Sequence, residues 1–383
     1  MIKRKISEKV LEYSSKFPVV TITGPRQSGK TTLSRMLFPD KPYVSLEELD
    51  ERTKAIKDPR GFLSQFPDGA ILDEAQRAPD LFSYIQTIVD SENWRGLFII
   101  TGSQQFEMLS HISQSLAGRT AIVKLLPFSL NEAYSGIAGL NIDNVLYTGF
   151  LPRIFDKQIN PSDMASFYIN TYLERDIRQL VNVRDLSKFE VFLKICAGRT
   201  GQLVNLSSLG NECDVNHNTI KAWLSILEAS YILKLQRPYY RNINKRLVKS
   251  PKLYFLDTGL AANLVGIRSP EQVSNHPLKG ALFETLIVSE LLKNNFNRGL
   301  PDNIFFYRDH KGNEIDVILD NGFDLDLIEI KLGQTVHDDF FKGFKAFPEI
   351  KDHTYKKQII FGGEKNSKYK DINIYSWRRI PSL

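Results

Sequence analysis

The chain has 383 residues, more than one hydrophobic core usually organises, so two or three domains are expected. With 42% hydrophobic and 25% charged residues it lies near ordinary globular composition, which argues against disorder and fibrous repeats, and the net charge of +6 is too dilute to identify a polyanionic partner. Cys196 and Cys213 stand far apart without histidine pairs, which argues against a zinc site or a disulfide framework; no cleavable apolar leader opens the chain and no run of about 18 apolar residues follows, so a cytoplasmic protein without a membrane span is expected.

In chain order, the apolar runs Val19 to Thr23, Tyr43 to Leu46, Ala70 to Leu72, Leu97 to Thr101 and Ala121 to Leu125 alternate with helical patterns, as in a parallel α/β sheet. From about Pro127 to Gly201 the periodicity is helical, through Phe167, Tyr172, Leu173, Ile177 and Leu180, and reads as a helical lid. Leu206 to Leu235 gives a short helix, a turn and a longer helix with Ile220, Leu224 and Leu227 on one face and Asn216 as N-cap, a helix-turn-helix outline. From about Gly280 an amphipathic helix through Phe283, Leu286, Ile287 and Leu291 precedes strands Asn303 to Tyr307, Glu314 to Leu319 and Leu325 to Lys331. Asn321-Gly322 is expected to turn the last hairpin, so a second α/β domain follows.

Gly24-Pro25-Arg26-Gln27-Ser28-Gly29-Lys30-Thr31 has the spacing G-x-x-x-x-G-K-[ST], after an apolar strand and before a helical pattern. Glycines at both ends let the backbone curl so that its N–H groups face a phosphate, and the helix N-terminus adds positive potential. Lys30 then meets the β- and γ-phosphates and the Thr31 hydroxyl can ligate Mg²⁺. These eight residues and Thr32 are the candidate ATP- or GTP-binding residues. Ala70-Ile71-Leu72-Asp73-Glu74 is an apolar strand ending in two carboxylates; Asp73 is placed to hold Mg²⁺ through water and Glu74 to activate an attacking water. Thr101 and Ser103 end another strand and are candidate sensors. Arg119 is a candidate finger on the phosphates, in its own subunit or in a neighbour within a homo-oligomer.

Together with Leu72-Asp73-Glu74-Ala75-Gln76, Leu116-Ala117-Gly118-Arg119, Tyr172-Leu173-Glu174-Arg175-Asp176, Asn218-Thr219-Ile220-Lys221 and Tyr254-Phe255-Leu256-Asp257-Thr258-Gly259-Leu260, the phosphate loop gives a chain that resembles, over almost its whole length, prokaryotic AAA-type ATPases carrying a C-terminal restriction-endonuclease-like domain of unknown function. The resemblance implies an AAA-type P-loop core over 1–135, a helical lid over 136–200, a winged-helix segment over 201–250 and a restriction-endonuclease-like α/β domain over 251–383. It also favours ATP over GTP.

Glu284 on a helix, Asp316 on one hairpin strand and Glu329-x-Lys331 on the next match the endonuclease-like pattern of three carboxylates and a lysine. Residues two apart on a strand share a face, so Glu329 and Lys331 can converge with Asp316. Such carboxylates hold Mg²⁺ for phosphodiester cleavage, with Lys331 orienting the nucleophile. In the helix-turn-helix, His217, Asn218, Lys221 and Ser225 are placed to face a DNA groove. The stretch Arg237, Tyr239, Tyr240, Arg241, Lys245, Arg246, Lys249, Lys252 is placed to grip phosphates and stack bases. The leading expectation is an ATPase whose nucleotide state controls a half that binds double-stranded DNA and carries residues for cutting it. The alternative is a nucleotide-dependent switch whose C-terminal half docks a protein and cuts nothing.

Overall fold

Five short apolar runs form one parallel sheet: β1 (Val19–Thr23), β2 (Tyr43–Ser45), β3 (Ile71–Asp73), β4 (Phe98–Gly102) and β5 (Thr120–Lys124), in the order β2-β3-β4-β1-β5. The computed structural model describes the chain apart from residues 1, 92–94, 104–111, 113, 138, 173–185, 240–248, 349, 351 and 381–383. Two compact units emerge: Met1–Ala133 with Ala229–Tyr231 and Asn295–Leu300, and Tyr134–Glu228 with Ile232–Asn294 and Pro301–Leu383.

In the first unit both faces of the sheet are covered, as a parallel sheet requires, except at the edge strand β5, where Ile122 is exposed. Side chains alternate along each strand, so Val20, Ile22, Ile71, Ile99 and Val123 pack with Ile6 and Val10 on one face, while Val19, Leu72, Phe98 and Ile100 pack with Phe62, Phe82 and Ile85 on the other. Because the strands are parallel, their carboxyl ends share one edge. Thr23 lies beside Gly102 and Lys124 there, and the chain turns from β1 into the helix Lys30–Leu37. In open parallel sheets this edge is where ligands sit.

The second unit holds an eight-stranded mixed sheet. Its strands are β6 (Leu233–Pro238), β7 (Lys252–Phe255), β8 (Ile304–Arg308), β9 (Glu314–Asn321), β10 (Asp324–Lys331), β11 (Thr354–Phe361), β12 (Ser367–Tyr369) and β13 (Ile372–Ser376), ordered β12-β13-β11-β10-β9-β8-β6-β7. Residue 250, where a boundary was expected, lies in the connection between β6 and β7, which pair antiparallel. The helices Leu206–Glu212 and His217–Ala229 stand ahead of this pair, and Asn216 caps the second by accepting from the Thr219 N–H at 2.8 Å. The hairpin turn falls one residue later than expected. Asn321 pairs with Asp324, so the loop is Gly322-Phe323, with Gly322 at φ 91°. Glycine leading a two-residue loop supplies the left-handed residue a hairpin needs, which moves the turn off Asn321.

The helices expected as a lid, Ile142–Thr148, Pro152–Lys157, Pro161–Tyr172 and Leu186–Gly198, belong to the second unit. Part of their reason is the Asp257-Thr258-Gly259 run. Asp257 caps the helix Thr258–Leu264 by accepting from the Leu260 N–H, and its other oxygen accepts from the Phe150 N–H, both at 2.8 Å. A Cβ on Gly259 would lie 2.7 Å from the Thr148 carbonyl oxygen, so the glycine permits that close approach. Both cysteines are buried and unbridged. Among the described residues no helix is long and apolar enough to cross a membrane.

Candidate functional site

The loop after β1 is built on two glycines. Gly24 has φ 156°, and a Cβ there would lie 2.0 Å from the Leu125 carbonyl oxygen; Gly29 has φ 91° and caps the helix Lys30–Leu37 in the left-handed region. A side chain at either position would distort the curl. Lys30 Nζ donates to the carbonyls of Gly24 (3.0 Å) and Pro25 (2.8 Å), folding across the mouth of the loop. Ser28 Oγ is buried without a hydrogen-bond partner among the described residues and can donate to an anion; Gln27 Oε1 is likewise unpartnered but, as an acceptor, does not suit a phosphate. A curl closed to a Cβ at Gly24, with a free hydroxyl donor in the loop, fits a phosphate chain.

Asp73 ends β3, two strands from β1, and three hydroxyls converge on it. Thr31 Oγ1 and the Tyr43 hydroxyl each donate to Oδ2 at 2.8 Å, and Thr101 Oγ1 donates to Oδ1. Tyr43 remains a donor because burial, reinforced by Asp73, holds its phenol well above the usual tyrosine range. The carboxylate and the Thr31 hydroxyl together suit a hydrated Mg²⁺ beside phosphates. Glu74 follows at φ 54°, a left-handed conformation that costs a non-glycine residue roughly 1–3 kcal/mol. Its carboxylate reaches the end of β4, where Oε2 accepts from Ser103 Oγ at 2.9 Å, and the same oxygen accepts from Gln76 Nε2, in the turn just after Glu74, at 2.5 Å. Both sensor candidates therefore touch the carboxylate pair directly.

Arg119 does not join them. It precedes β5, and its carbonyl accepts from the Val19 N–H at the amino end of β1. A strand of five residues separates it from the phosphate loop, about 13 Å of extended backbone. Its guanidinium grips Asp90 through Nε at 2.5 Å and Nη2 at 2.8 Å. Parallel strands put the two ends of β5 on opposite edges of the sheet, so Arg119 is not a finger on the phosphates of its own subunit.

In the second unit, Glu284 comes from the helix Lys279–Asn297, Glu314 and Asp316 from one face of β9, and Glu329 and Lys331 from one face of β10. Among the described residues the three carboxylates able to converge on one ion are Glu284, Glu314 and Asp316, with ligand oxygens within 4.8 Å of one another. Glu314 stands where Glu329 was expected. Glu329 instead pairs with Lys331 at 2.7 Å, and Lys331 also lies 3.4 Å from Asp316. Burial pushes the Glu329 carboxyl up to about 8, Asp316 adds to the rise, and Lys331 opposes it.

A cation already sits in this cluster. Lys252, on β7, is 3% exposed; its ammonium donates to Glu284 Oε1 at 3.0 Å and forms an ion pair with Glu314. Burial alone would lower its pKa, but the surrounding Tyr254, Glu284, Asp316 and Glu314 outweigh that and keep it well above the usual lysine value. Lys252 is therefore no part of a solvent-facing grip on phosphates, and Tyr239 is buried edge-on against Phe305 rather than open for stacking. Both lie in or beside strands that were read as a basic loop. Arg237 and Lys249 are exposed, whereas Tyr240, Arg241, Lys245 and Arg246 lie outside the described residues. In the helix His217–Ala229 the side chains of His217, Asn218, Lys221 and Ser225 are exposed, opposite Ile220, Leu224 and Leu227.

The chain is 32% identical over 306 residues to the uncharacterized protein Rv2008c of Mycobacterium tuberculosis (strain ATCC 25618 / H37Rv), and equally to Mb2031c of Mycobacterium bovis (strain ATCC BAA-935 / AF2122/97), covering 79% of this chain and 68% of theirs. It belongs to the family of these two proteins. Residues 16–134 match the AAA domain, 140–271 a domain of unknown function (DUF8612) and 279–380 another domain of unknown function (DUF4143). The Walker-type ATPase paby2304 of Pyrococcus abyssi superposes with a TM-score of 0.46 at 16% identity, over 69% of this chain and 96% of that one. The N-terminal unit is an AAA-type P-loop ATPase domain that binds nucleotide, on an α/β fold with a parallel sheet.

Sequence reasoning passed over Arg4 and Tyr43 in the first unit, and Glu314 and the role of Lys252 in the second. Only Glu314 carried a signal, its spacing of two from Asp316 on a strand. Arg4 and Tyr43 reach the site through tertiary packing alone.

Proposed function

We propose that the chain is a Mg²⁺-dependent ATPase whose nucleotide state controls a DNA-binding C-terminal half. In this reading Gly24 to Thr32 cradle the phosphates, Lys30 exchanges its carbonyl partners for the β- and γ-phosphates, and Thr31 and Asp73 hold Mg²⁺. Bound Mg²⁺ supplies neutralisation of charge on the phosphate oxygens. Glu74 positions and deprotonates the attacking water, with Thr101 and Ser103 linking the two carboxylates to β4. The observation that carries the reading is the contact of Thr31 with Asp73, which joins the phosphate loop to the acidic strand end. The preference for ATP rests on the AAA domain match.

The division at 135, 200 and 250, with a lid, a winged helix and an endonuclease-like domain, belongs to the same proposal. The exposed face His217, Asn218, Lys221 and Ser225 supports a groove contact, with Arg237 and Lys249 on phosphates. Glu284, Asp316, Glu329 and Lys331, now with Glu314, are the candidate Mg²⁺ centre for cleavage. A specific observation favours the second reading, a switch that docks a partner and cuts nothing: the Lys252 ammonium already occupies the cluster, paired with both Glu284 and Glu314.

Lys30→Ala is expected to abolish ATP turnover; unchanged turnover in that variant removes the assignment. Stimulation of turnover by duplex DNA, weakening as salt rises, supports the first reading, and indifference to DNA supports the second.

A further inference from the structure

We propose that Arg4 is a positioning residue for ATP, acting through the phosphate loop; this rests on the nucleotide reading above. Arg4 is far from Gly24 to Thr31 in sequence, yet it is 5% exposed and reaches beneath that loop. Its guanidinium donates through Nη1 to the Ser28 carbonyl at 2.7 Å, through Nη2 to the Leu126 carbonyl at 2.6 Å, and through Nε to Glu132 Oε1 at 3.2 Å. Glu132 is itself fixed, accepting from the Lys5 N–H and the Ser129 N–H at 2.7 Å each, and the guanidinium lies 4.8 Å from the centroid of the Phe128 ring. Burying such a cation costs several kcal/mol unless it is fully paired, and here every arm of the fork has an acceptor.

The consequence for the loop follows from peptide geometry. No described peptide bond is cis, and in a trans peptide the C=O and the following N–H point in opposite directions. Pinning the Ser28 carbonyl onto Arg4 therefore turns the Gly29 N–H away from Arg4. Gly29, with φ 91°, has the freedom to turn the other way. Were the Ser28–Gly29 peptide to rotate, a carbonyl oxygen would replace an amide hydrogen at the phosphates and repel them. Arg4 holds that peptide in the orientation an anion requires. Lysine cannot substitute fully, because a single ammonium lacks the planar fork that spans three acceptors.

An interaction that orients the loop before the nucleotide arrives, and holds it alike in ground and transition states, contributes to binding more than to the chemical step. Arg4→Lys and Arg4→Gln are therefore expected to raise the KM for ATP and the Kd for Mg·ATP by about tenfold or more, with kcat within about threefold and Arg4→Lys the milder. Wild-type KM in both variants, or a fall in kcat or thermal midpoint with KM unmoved, overturns the assignment and leaves Arg4 a support of the fold only. If neither variant folds, Glu132→Gln, which loosens the guanidinium without removing it, decides: a raised KM upholds the proposal and an unchanged one overturns it. A wild-type chain that binds no Mg·ATP removes the nucleotide reading and this inference together. A wild-type chain that binds it while the variants match removes the inference alone.

Discussion

Tyr43 donates its phenolic hydrogen to Asp73 Oδ2 at 2.8 Å, the same oxygen that accepts from Thr31. If Asp73 holds Mg²⁺, Tyr43 fixes the carboxylate from behind the ion. Loss of a partner that orients a ligand typically costs about tenfold in metal affinity. Tyr43→Phe is thus expected to raise the free Mg²⁺ concentration giving half-maximal ATP turnover by about tenfold, with a smaller change at saturating Mg²⁺. An unmoved Mg²⁺ midpoint would place Tyr43 outside the site.

Glu74 is held in a left-handed conformation with its carboxylate against Ser103, 2.9 Å away. A group whose task is proton transfer, rather than phosphate binding, should affect turnover alone. Glu74→Gln is expected to lower turnover by about 10²- to 10⁴-fold while ATP affinity stays near wild type. Single-turnover hydrolysis beside equilibrium binding of a fluorescent ATP analogue separates the two. Residual turnover within threefold or so of wild type is incompatible with a general base at this position.

Much of this nucleotide site was legible because its parts are local. A glycine-framed turn after an apolar strand announces itself by spacing, and so does an apolar strand ending in Asp73-Glu74. The five strands of the first sheet appear within one residue of expectation at each end, since parallel strands buried on both faces read as continuous apolar runs. Strand order was not legible; the place of Arg119 follows from its position just before β5 in a parallel sheet, which sets it on the edge opposite the phosphate loop. In the second unit the longer helix, expected to reach Leu235, ends at Ala229 and Leu233 to Leu235 open β6; Arg237 and Lys252 hid the rest of β6 and β7 as a solvated basic loop, and β11 to β13 were not expected. A buried lysine cannot be told from an exposed one until the carboxylates that pair with it are placed.

The raised Glu329 carboxyl makes a stability prediction with a definite sign. Its folded pKa of about 8 lies above the ordinary 4.5, so the native state keeps a proton that the unfolded state has released. The stabilisation is complete below the unfolded value and is lost as pH climbs toward the folded one. In metal-free buffer the chain should therefore lose stability between pH 5 and 8 relative to Glu329→Gln, which has no such proton. Urea unfolding of both proteins at the two pH values measures this. Parallel behaviour would show that Glu329 is already ionised at pH 5.

Lys252 offers the sharpest contrast between a structural ion pair and a surface charge. Its ammonium is buried between Glu284 and Glu314, and Tyr254 donates to the same Glu284 oxygen. Removing Lys252 leaves Glu284 buried without its cation and Glu314 with Arg308 alone, 3.1 Å away, and breaking a buried pair costs about 3–5 kcal/mol. Lys252→Met, which keeps much of the stem, is expected to destabilise the second unit by about that amount, whereas an exposed basic residue such as Lys249 changed to Met should move it by less than about 0.5 kcal/mol. Because the loss comes from stranded carboxylates rather than from a missing contact, adding Glu314→Gln to Lys252→Met should restore part of it. Urea melts of the single and double variants test this through the coupling of the two substitutions. Simple addition of their separate effects would mean that Lys252 and Glu314 are not paired in solution, and the carboxylate cluster would then have to find its counter-charge elsewhere.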